Sequence, residues 1–223
     1  MGAAIGQSLP VAVGVLISPL PIVAVVLMLV SRRARANALA FVVGWFLAVL
    51  AVVVVVALVA GSAAADDDGP AAWTGWLKIV LGVLLLLVSV RQWRGRPRGD
   101  DEPPAPRWMA AIETFTPVRS VGLAALLGVV NPKNLLLVVS GGTAIAATAP
   151  PDTTTTVVAA VVFAVVASAG VVAPVVIYFS LGDRAAVVLD ELRAWMVHNN
   201  AAIMAVLLLV LGAKMLGDGI SVL

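Results

Sequence analysis

Long apolar runs separated by short polar stretches dominate the chain. Six of these runs have about the 20 mostly apolar residues that a helix needs to cross the hydrocarbon core of a bilayer, which is roughly 30 Å thick. They cover approximately residues 5–30, 37–60, 75–92, 118–147, 155–181 and 200–222. The pattern therefore predicts an all-α integral membrane protein with six transmembrane helices.

Composition agrees with a bilayer as the solvent. The chain is 62% hydrophobic and 12% charged, whereas soluble domains are about 45–50% apolar and about 25% charged. A net charge of +2, carried in short basic clusters, argues against a nucleic-acid partner. The absence of cysteine excludes disulfides and thiolate metal sites. With no phosphate-loop or metal-ligand motif visible, we expect no metal and no cofactor.

The first apolar run is expected to be a retained span. A signal peptide needs basic residues before its apolar core, and the first basic residue here is Arg32, after the run. Connections 31–36, 91–117 and 182–199 together carry ten of the 14 Lys and Arg residues, and connections 61–74 and 148–154 carry none. Because cytoplasmic loops are enriched in Lys and Arg, connections 31–36, 91–117 and 182–199 are predicted to be cytoplasmic and both termini to lie outside.

The third connection divides the chain into two halves of three spans each. Its sequence "RGRPRGDDEPPAPR" is typical of a flexible linker, and the following "WMAAIETF" suggests a short helix at the membrane surface. An odd number of spans inverts the second half relative to the first. We therefore predict a first three-helix repeat at 1–93, a cytoplasmic Pro/Arg-rich linker at 94–117 and a second, inverted three-helix repeat at 118–223.

Helix-breaking and polar residues interrupt the first span of each half, as "SPLP" in one and "NPKN" in the other. A proline removes a backbone donor and clashes with the carbonyl four residues back, so both helices are expected to break. Each break lies about 20 Å along its span, near mid-membrane, where inverted-repeat transporters bind their substrates. The candidate transport-pathway residues are Ser18, Pro19, Pro21, Asn131, Pro132, Lys133 and Asn134.

Lys133 carries most of this functional interpretation. An ammonium near the bilayer centre costs about 2.5–3.5 kcal/mol on the insertion scale, so it usually faces a cavity or a partner. Two alternatives stay open: the prolines could kink their helices for packing alone, and Lys133 could extend to an interface. Secondary candidates are Lys214, Lys78 and Arg119; Lys214 is expected to pair with Asp218, four residues further along the helix.

Three segments together resemble a known family: "ISPLPIVAVVLML" followed by "SRRARANALAFVVGW", then "GVVNPKNLLL", then "LGDRAAVVLDELRAWMVHNNAAIMAVLLLVLGAKMLGDGI". They are similar to the GAP family, the sulfolipid- or glycopeptidolipid-addressing proteins of the lysine-exporter superfamily. The resemblance covers nearly the whole chain. It implies a six-helix protein of the bacterial plasma membrane, with helices 1 and 4 broken near mid-membrane in two inverted repeats. It also implies export of a glycolipid or related amphiphile, with a larger lipid exporter as a partner.

Three functions remain open at this stage. The first is export of an amphiphilic lipid with an anionic head group by alternating access. The second is export of small solutes such as amino acids, although amino-acid exporters of the superfamily usually have Gly-Pro where this chain has Ser18-Pro19. The third is an accessory subunit of a larger exporter. An enzyme is not expected, because no nucleophile–base pair is visible, and homo-oligomerisation is left open.

Overall fold

The computed structural model of the chain describes residues 1–63, 72–96, 111–148 and 153–221. These ranges contain helices and no strand. The helices are α1 (Gly2–Leu16), α2 (Pro19–Leu29), α3 (Ala34–Ala63), α4 (Ala72–Arg94), α5 (Pro117–Ala125), α6 (Pro132–Thr148), α7 (Thr153–Leu181) and α8 (Ala185–Ile220). A π-helical turn, Leu126–Val130, follows α5. Turns of 3-10 helix at Ile112–Thr114 and Gly182–Arg184 precede α5 and α8.

Both predicted interruptions are sharp bends. The axes of α1 and α2 differ by 54°. The axis of Pro117–Val130, which contains α5 and the π-helical turn and is called the α5 segment, differs from that of α6 by 68°. Each second half-helix starts with a proline at its first position, which cannot continue a preceding helix but fits the first turn of a new one. Pro19 and Pro132 therefore contribute to the bends, although proline alone does not end a helix here, since Pro10 and Pro174 lie inside α1 and α7.

The described residues form three to five candidate membrane spans. Helices α3, α7 and α8 are each long and apolar enough to cross a bilayer. The two bent pairs, α1 with α2 and α5 with α6, also pass as single spans, which gives the upper number. The chain is thus an all-helical, multi-pass membrane protein. The sixth span and the inverted arrangement remain predictions.

The fifth predicted connection is wrong over most of its length. Residues 182–199 were expected to be a loop, but only Gly182–Arg184 form a turn, and α8 already begins at Ala185. The early part of α8 is amphipathic: Ala185, Leu189 and Met196 are buried at helical spacing. Charged residues interrupt the apolar run in this stretch, so the criterion of about 20 mostly apolar residues did not identify it as a helix.

The helices group into two compact units. The first unit contains residues 1–65 and 105–194, and the second contains residues 66–104 and 195–223. Each unit takes helices from both halves of the sequence, so this grouping does not test the predicted repeats. The predicted linker 94–117 and its surface helix lie largely outside the described residues, since residues 97–110 are not described.

In the first unit, α3 is a central helix that packs on α5, α6 and α7, while α1 packs on α6 and α7. Phe41 and Trp45 of α3 are buried with their rings stacked at 6.3 Å, and Trp45 Nε1 donates to the Ala167 carbonyl of α7 at 3.4 Å. Gly44 allows α5 to approach, because an added Cβ would lie 2.9 Å from the Val121 Cα. This bundle surrounds both breaks.

In the second unit, small residues form the seam between α4 and the last part of α8. An added Cβ on Gly212 would lie 2.9 Å from the Gly82 carbonyl oxygen, and one on Gly219 would lie 2.9 Å from the Gly75 carbonyl oxygen. Further along, Ser89 Oγ donates to the Ala205 carbonyl at 2.6 Å. The contacts recur every seven residues, with numbers that rise along α4 and fall along α8. This is the spacing of an antiparallel helix pair in close contact. The participating positions are 75, 82 and 89 of α4 with 219, 212 and 205 of α8.

Candidate functional site

The first break is built around Ser18, which has an extended backbone conformation (φ −96°, ψ 108°) at the N-cap of α2. The first backbone hydrogen bond of α2, from Ile22 N to Ser18 O, is 3.5 Å long. Pro19 and Pro21 have no N–H, so two donors that would lack intrahelical partners are absent from this turn. The Ser18 hydroxyl makes no capping bond and is therefore available to another element.

The second break combines a π-helical turn with an N-cap. Asn131 N donates to Leu126 O, five residues back, at 3.0 Å, which ends the α5 segment. Asn131 Oδ1 then accepts from Lys133 N at 3.1 Å, and Asn131 O accepts from Leu135 N at 2.9 Å. Asn131 thus caps α6 by the usual asparagine geometry, and Pro132 occupies the first position of the helix.

Asn134 replaces a hydrogen bond that Pro132 cannot make. Continuing the π-helical pattern would require an N–H at residue 132 to reach Leu127 O, but proline has none. Asn134 Nδ2 donates to this carbonyl instead, at 2.8 Å. Asn134 is fully buried (0% exposed), and an unsatisfied buried polar group costs about 1–3 kcal/mol. The side chain therefore stabilises the break that its neighbouring proline creates.

Three polar side chains join the two breaks. The Ser18 hydroxyl donates to Asn134 Oδ1 at 2.7 Å, and Lys133 Nζ donates to Ser18 Oγ at 2.9 Å. Ser18 thus bridges the amide and the ammonium, which are adjacent in sequence on α6 and more than 110 residues away along the chain. We call Ser18, Lys133 and Asn134 the break cluster.

The break cluster is closed to the surroundings of the protein. Ser18 is 3% exposed and Lys133 is 5% exposed, so the lysine side chain lies inside the bundle rather than extending to its surface. Within the described residues Lys133 forms no ion pair, and Ser18 Oγ is the one acceptor on its ammonium. A hydrogen bond to a charged group contributes about 1.5–3 kcal/mol, which roughly offsets the cost of about 2.5–3.5 kcal/mol for a membrane-centre charge.

The position of Lys133 in its helix adds to the positive potential. Lys133 is the second residue of α6, where the aligned peptide dipoles place the equivalent of about half a positive charge. Acidic residues are favoured at this position and a cation is unfavourable by about 0.3–1 kcal/mol. The helix end and the ammonium therefore combine into a buried positive site that lacks a negative partner among the described residues.

Gly170 of α7 supports the first break by allowing close helix approach. An added Cβ at Gly170 would overlap the Leu16 carbonyl oxygen at the end of α1. The last carbonyls of α1 have lost their helical partners, and one of them packs directly on the α7 backbone. Gly170 appears in the sequence as one small residue among many, and nothing there indicates which helix end it faces.

The secondary candidates are not part of the break cluster. Lys214 lies in the second unit, where its Nζ is 2.6 Å from Asp218 Oδ2, as predicted from their spacing. Arg119 is exposed in the first turn of α5, about 18 Å along the helix from Asn131. Lys78 belongs to α4, and its side chain lies outside the described part of the structure.

Comparison with known proteins gives one family. A family model described as "Sap, sulfolipid-1-addressing protein" matches residues 9–221. No curated protein and no solved structure gives a match. Since the matched region covers nearly the whole chain, including both breaks, the protein belongs to the sulfolipid-1-addressing protein (Sap) family.

Proposed function

We propose that the protein exports an amphiphilic lipid or glycolipid with an anionic head group across the bacterial plasma membrane by alternating access. The observation that carries the proposal is the break cluster: a buried ammonium at the positive end of α6, with no carboxylate partner among the described residues. Such a site attracts anions by charge and by the helix dipole. The family's description, which names a sulfolipid, supports lipid as the substrate class.

The proposed mechanism exchanges partners at the ammonium. In the closed conformation the Ser18 hydroxyl holds Lys133. Opening of the breaks would let a sulfate, phosphate or carboxylate of the substrate replace Ser18 as the acceptor. The hydroxyl keeps its bond to Asn134 Oδ1, so the exchange leaves no polar group of the cluster unpaired. Prolines at both breaks provide positions where half-helices can rotate without breaking hydrogen bonds between backbone groups, and at the second break the bond from Asn134 Nδ2 to the Leu127 carbonyl would have to open.

The packing in the first unit supports the proposed inverted repeats of six spans. The second halves of the broken helices, α2 and α6, pack on α3 and α7, the next helix in their own repeat. The first halves, α1 and α5, pack on α7 and α3, the corresponding helix of the other repeat. Exchange of the two repeats thus reproduces these four contacts, whereas the packing of α1 on α6 has no comparable counterpart between α5 and α2. With α4 as the third span, this is the arrangement that the resemblance to the GAP family of the lysine-exporter superfamily implies, and we propose that the chain belongs to that family.

The identity of residue 18 supports a lipid rather than an amino acid as substrate. The resemblance noted above sets Ser18-Pro19 against the usual Gly-Pro of amino-acid exporters. Glycine has no side chain to bridge the two breaks, whereas Ser18 holds both Lys133 and Asn134. The hydrogen bonds that residue 18 can make therefore differ between this chain and the amino-acid exporters, as their substrates would. A larger lipid exporter remains a proposed partner.

The test is a leaflet-exchange assay in proteoliposomes. The probes are a fluorescent sulfated galactosyl lipid (sulfatide) and the same galactosylceramide without its sulfate. A quencher that does not cross the bilayer reports how fast each probe changes leaflets. We expect the purified chain to accelerate exchange of the sulfatide, and Lys133→Met to slow it by at least about tenfold, equivalent to about 1.4 kcal/mol.

The matched variant is Lys133→Arg, which keeps the charge and should retain part of the sulfatide exchange. Galactosylceramide exchange should change little with either variant, because no anion is available to meet the cation. Equal sulfatide rates for wild type and Lys133→Met would overturn the assigned role of the ammonium. No exchange above protein-free vesicles would favour an accessory subunit over an independent exporter.

A further inference from the structure

A second polar cavity lies at one end of the first unit, away from the break cluster. It has a volume of about 680 Å³, within the range of small-molecule sites of about 300–1,000 Å³. Ser31 lies thirteen residues after Ser18, about 20 Å further along the chain by helical rise. The cavity is lined by Val30, Ser31, Arg32, Arg33, Thr114, Phe115 and Thr116. We call it the basic cavity.

Among the described side chains, no acidic group compensates the positive charge of the basic cavity. Arg32 and Arg33 are both exposed, and neither guanidinium has a hydrogen bond or ion pair within the described residues. None of the described lining residues is acidic. A guanidinium presents parallel N–H donors that match two oxygens of a sulfate or phosphate. Two such groups beside one cavity favour a tetrahedral oxyanion.

The walls of the basic cavity are held in place without a ligand. Asn37 is fully buried in the first turn of α3, and its Nδ2 donates to the Phe115 carbonyl at 3.0 Å. This bond ties the segment before α5 to the first turn of α3. Helices α3 and α5 begin directly after lining residues Arg33 and Thr116, so their positive ends add to the same potential.

Apolar surface borders the cavity. Val30, on its rim, is 65% exposed, and Val118, in the first turn of α5, is 81% exposed. In a membrane protein such side chains contact lipid, and basic groups beside them meet the head-group layer. Among the sources of an oxyanion, this arrangement favours a lipid head group over a free ion.

We propose that the basic cavity binds the sulfate or phosphate of a lipid head group at the membrane surface, through Arg32 and Arg33, as a site separate from the break cluster. The proposal rests on the proposed function for the class of substrate, since the head group taken to bind here is the anionic lipid head group proposed to meet Lys133. Binding itself requires no transport, so it is measured independently of transport.

The experiment measures binding of fluorescent sulfatide to the purified full chain in a neutral detergent. Galactosylceramide, the same lipid without sulfate, is the neutral comparison. Arg32→Gln/Arg33→Gln should weaken sulfatide binding by at least about tenfold and leave the weak galactosylceramide binding unchanged. Added salt should weaken sulfatide binding to wild type, because exposed charges are screened.

The matched control is Arg184→Gln/Arg193→Gln, which removes the same charge from two arginines of the first unit that do not line the cavity: Arg184 is exposed, and Arg193 is half-buried and paired with Asp190. It should bind sulfatide within about twofold of wild type, a difference below about 0.5 kcal/mol. An equal loss of sulfatide binding in both double variants would show that net charge alone causes the loss, and would overturn the proposal. Unchanged binding in Arg32→Gln/Arg33→Gln would overturn it directly.

Two further arms separate the alternatives. Inorganic sulfate that competes as tightly as the sulfatide would identify a free oxyanion as the ligand and overturn the lipid assignment. Lys133→Met removes only the cation of the break cluster, so sulfatide that still binds this variant but no longer binds Arg32→Gln/Arg33→Gln is held at the basic cavity. Sulfatide binding without leaflet exchange would overturn the proposed function and support the basic cavity as a binding site. Leaflet exchange without binding at Arg32 and Arg33 would support the proposed function and overturn the basic cavity as a binding site.

Discussion

At the scale of single residues, the Ser18 hydroxyl determines how the charge of Lys133 is held. It accepts from the ammonium at 2.9 Å and donates to Asn134 Oδ1 at 2.7 Å. Because one hydroxyl serves both groups, loss of Ser18 would leave a buried charge and a buried amide oxygen without these partners. Loss of Lys133 would leave the Ser18–Asn134 bond intact. Removal of Ser18 is therefore expected to destabilise the protein more than removal of Lys133.

We predict that Ser18→Ala lowers the free energy of unfolding by about 1–3 kcal/mol, because it leaves buried polar groups unsatisfied. Lys133→Met should instead be neutral or stabilising by about 1–4 kcal/mol, since an apolar side chain of similar length replaces a buried charge. Thermal unfolding in a neutral detergent measures both. In the double variant the cost of Ser18→Ala should shrink; additive effects would show that Ser18 and Lys133 are not coupled.

At the scale of helices, the two breaks differ in how they satisfy their backbone groups. The first removes donors, since Pro19 and Pro21 lack N–H groups, and packs the freed Leu16 carbonyl on Gly170. The second uses a π-helical turn and the Asn134 amide to fill the Leu127 carbonyl. In a membrane every such group needs a protein partner or water. Close approach of a neighbouring backbone and a side-chain amide are two solutions to this one requirement.

We predict that Gly170→Ala destabilises the protein by about 1–3 kcal/mol, because its Cβ would overlap the Leu16 carbonyl oxygen of α1. The matched variant is Gly122→Ala in α5, where an added Cβ would meet nothing within 4 Å. Alanine at a free helical site should be stabilising by up to about 1 kcal/mol. Thermal midpoints that fall equally in both variants, or in neither, would contradict this account of the first break.

At the scale of the whole molecule, the basic connections of the first unit meet at one end of the bundle. The basic cavity joins residues 30–33 to residues 114–116, and a neighbouring cavity of about 490 Å³ joins Val30 and Arg35 to Gly182 and Leu189. These segments belong to three connections that the distribution of Arg and Lys assigned to the cytoplasm. Their position at one end is what three loops on the same side of a membrane require.

We predict that this end faces the cytoplasm and that both termini face outward. The chain contains no cysteine, so single substitutions give an unambiguous reading with a thiol reagent that does not cross membranes. Cysteine at Gly2 should react in intact cells, whereas cysteine at Ala36 or Arg184 should react only after the membrane is permeabilised. Reaction at Ala36 in intact cells would reverse the proposed orientation and with it the entry side of the substrate.

Several features of the fold are decided by local chemistry and could be predicted from the sequence. Proline lacks an N–H in any environment, so "SPLP" and "NPKN" were expected to interrupt their helices, and the bends of 54° and 68° confirm this. Proline alone is not sufficient, because Pro10 and Pro174 lie inside the continuous helices α1 and α7. Apolar length likewise predicts helices in a bilayer. The early part of α8 was missed because its apolar face is visible only as a stripe at helical spacing, with Asp190 and Arg193 paired on the exposed side.

The sequence by itself determined that a lysine would lie beside a helix break inside a membrane protein, because residue type and apolar context are local properties. The tertiary structure decided which group would meet that lysine, since Ser18 is 115 residues away from Lys133. It likewise decided that Gly170 faces the end of α1 and that Arg32 and Arg33 share a cavity with Thr116. Such contacts depend on how helices pack, and packing brings together residues that no local pattern connects.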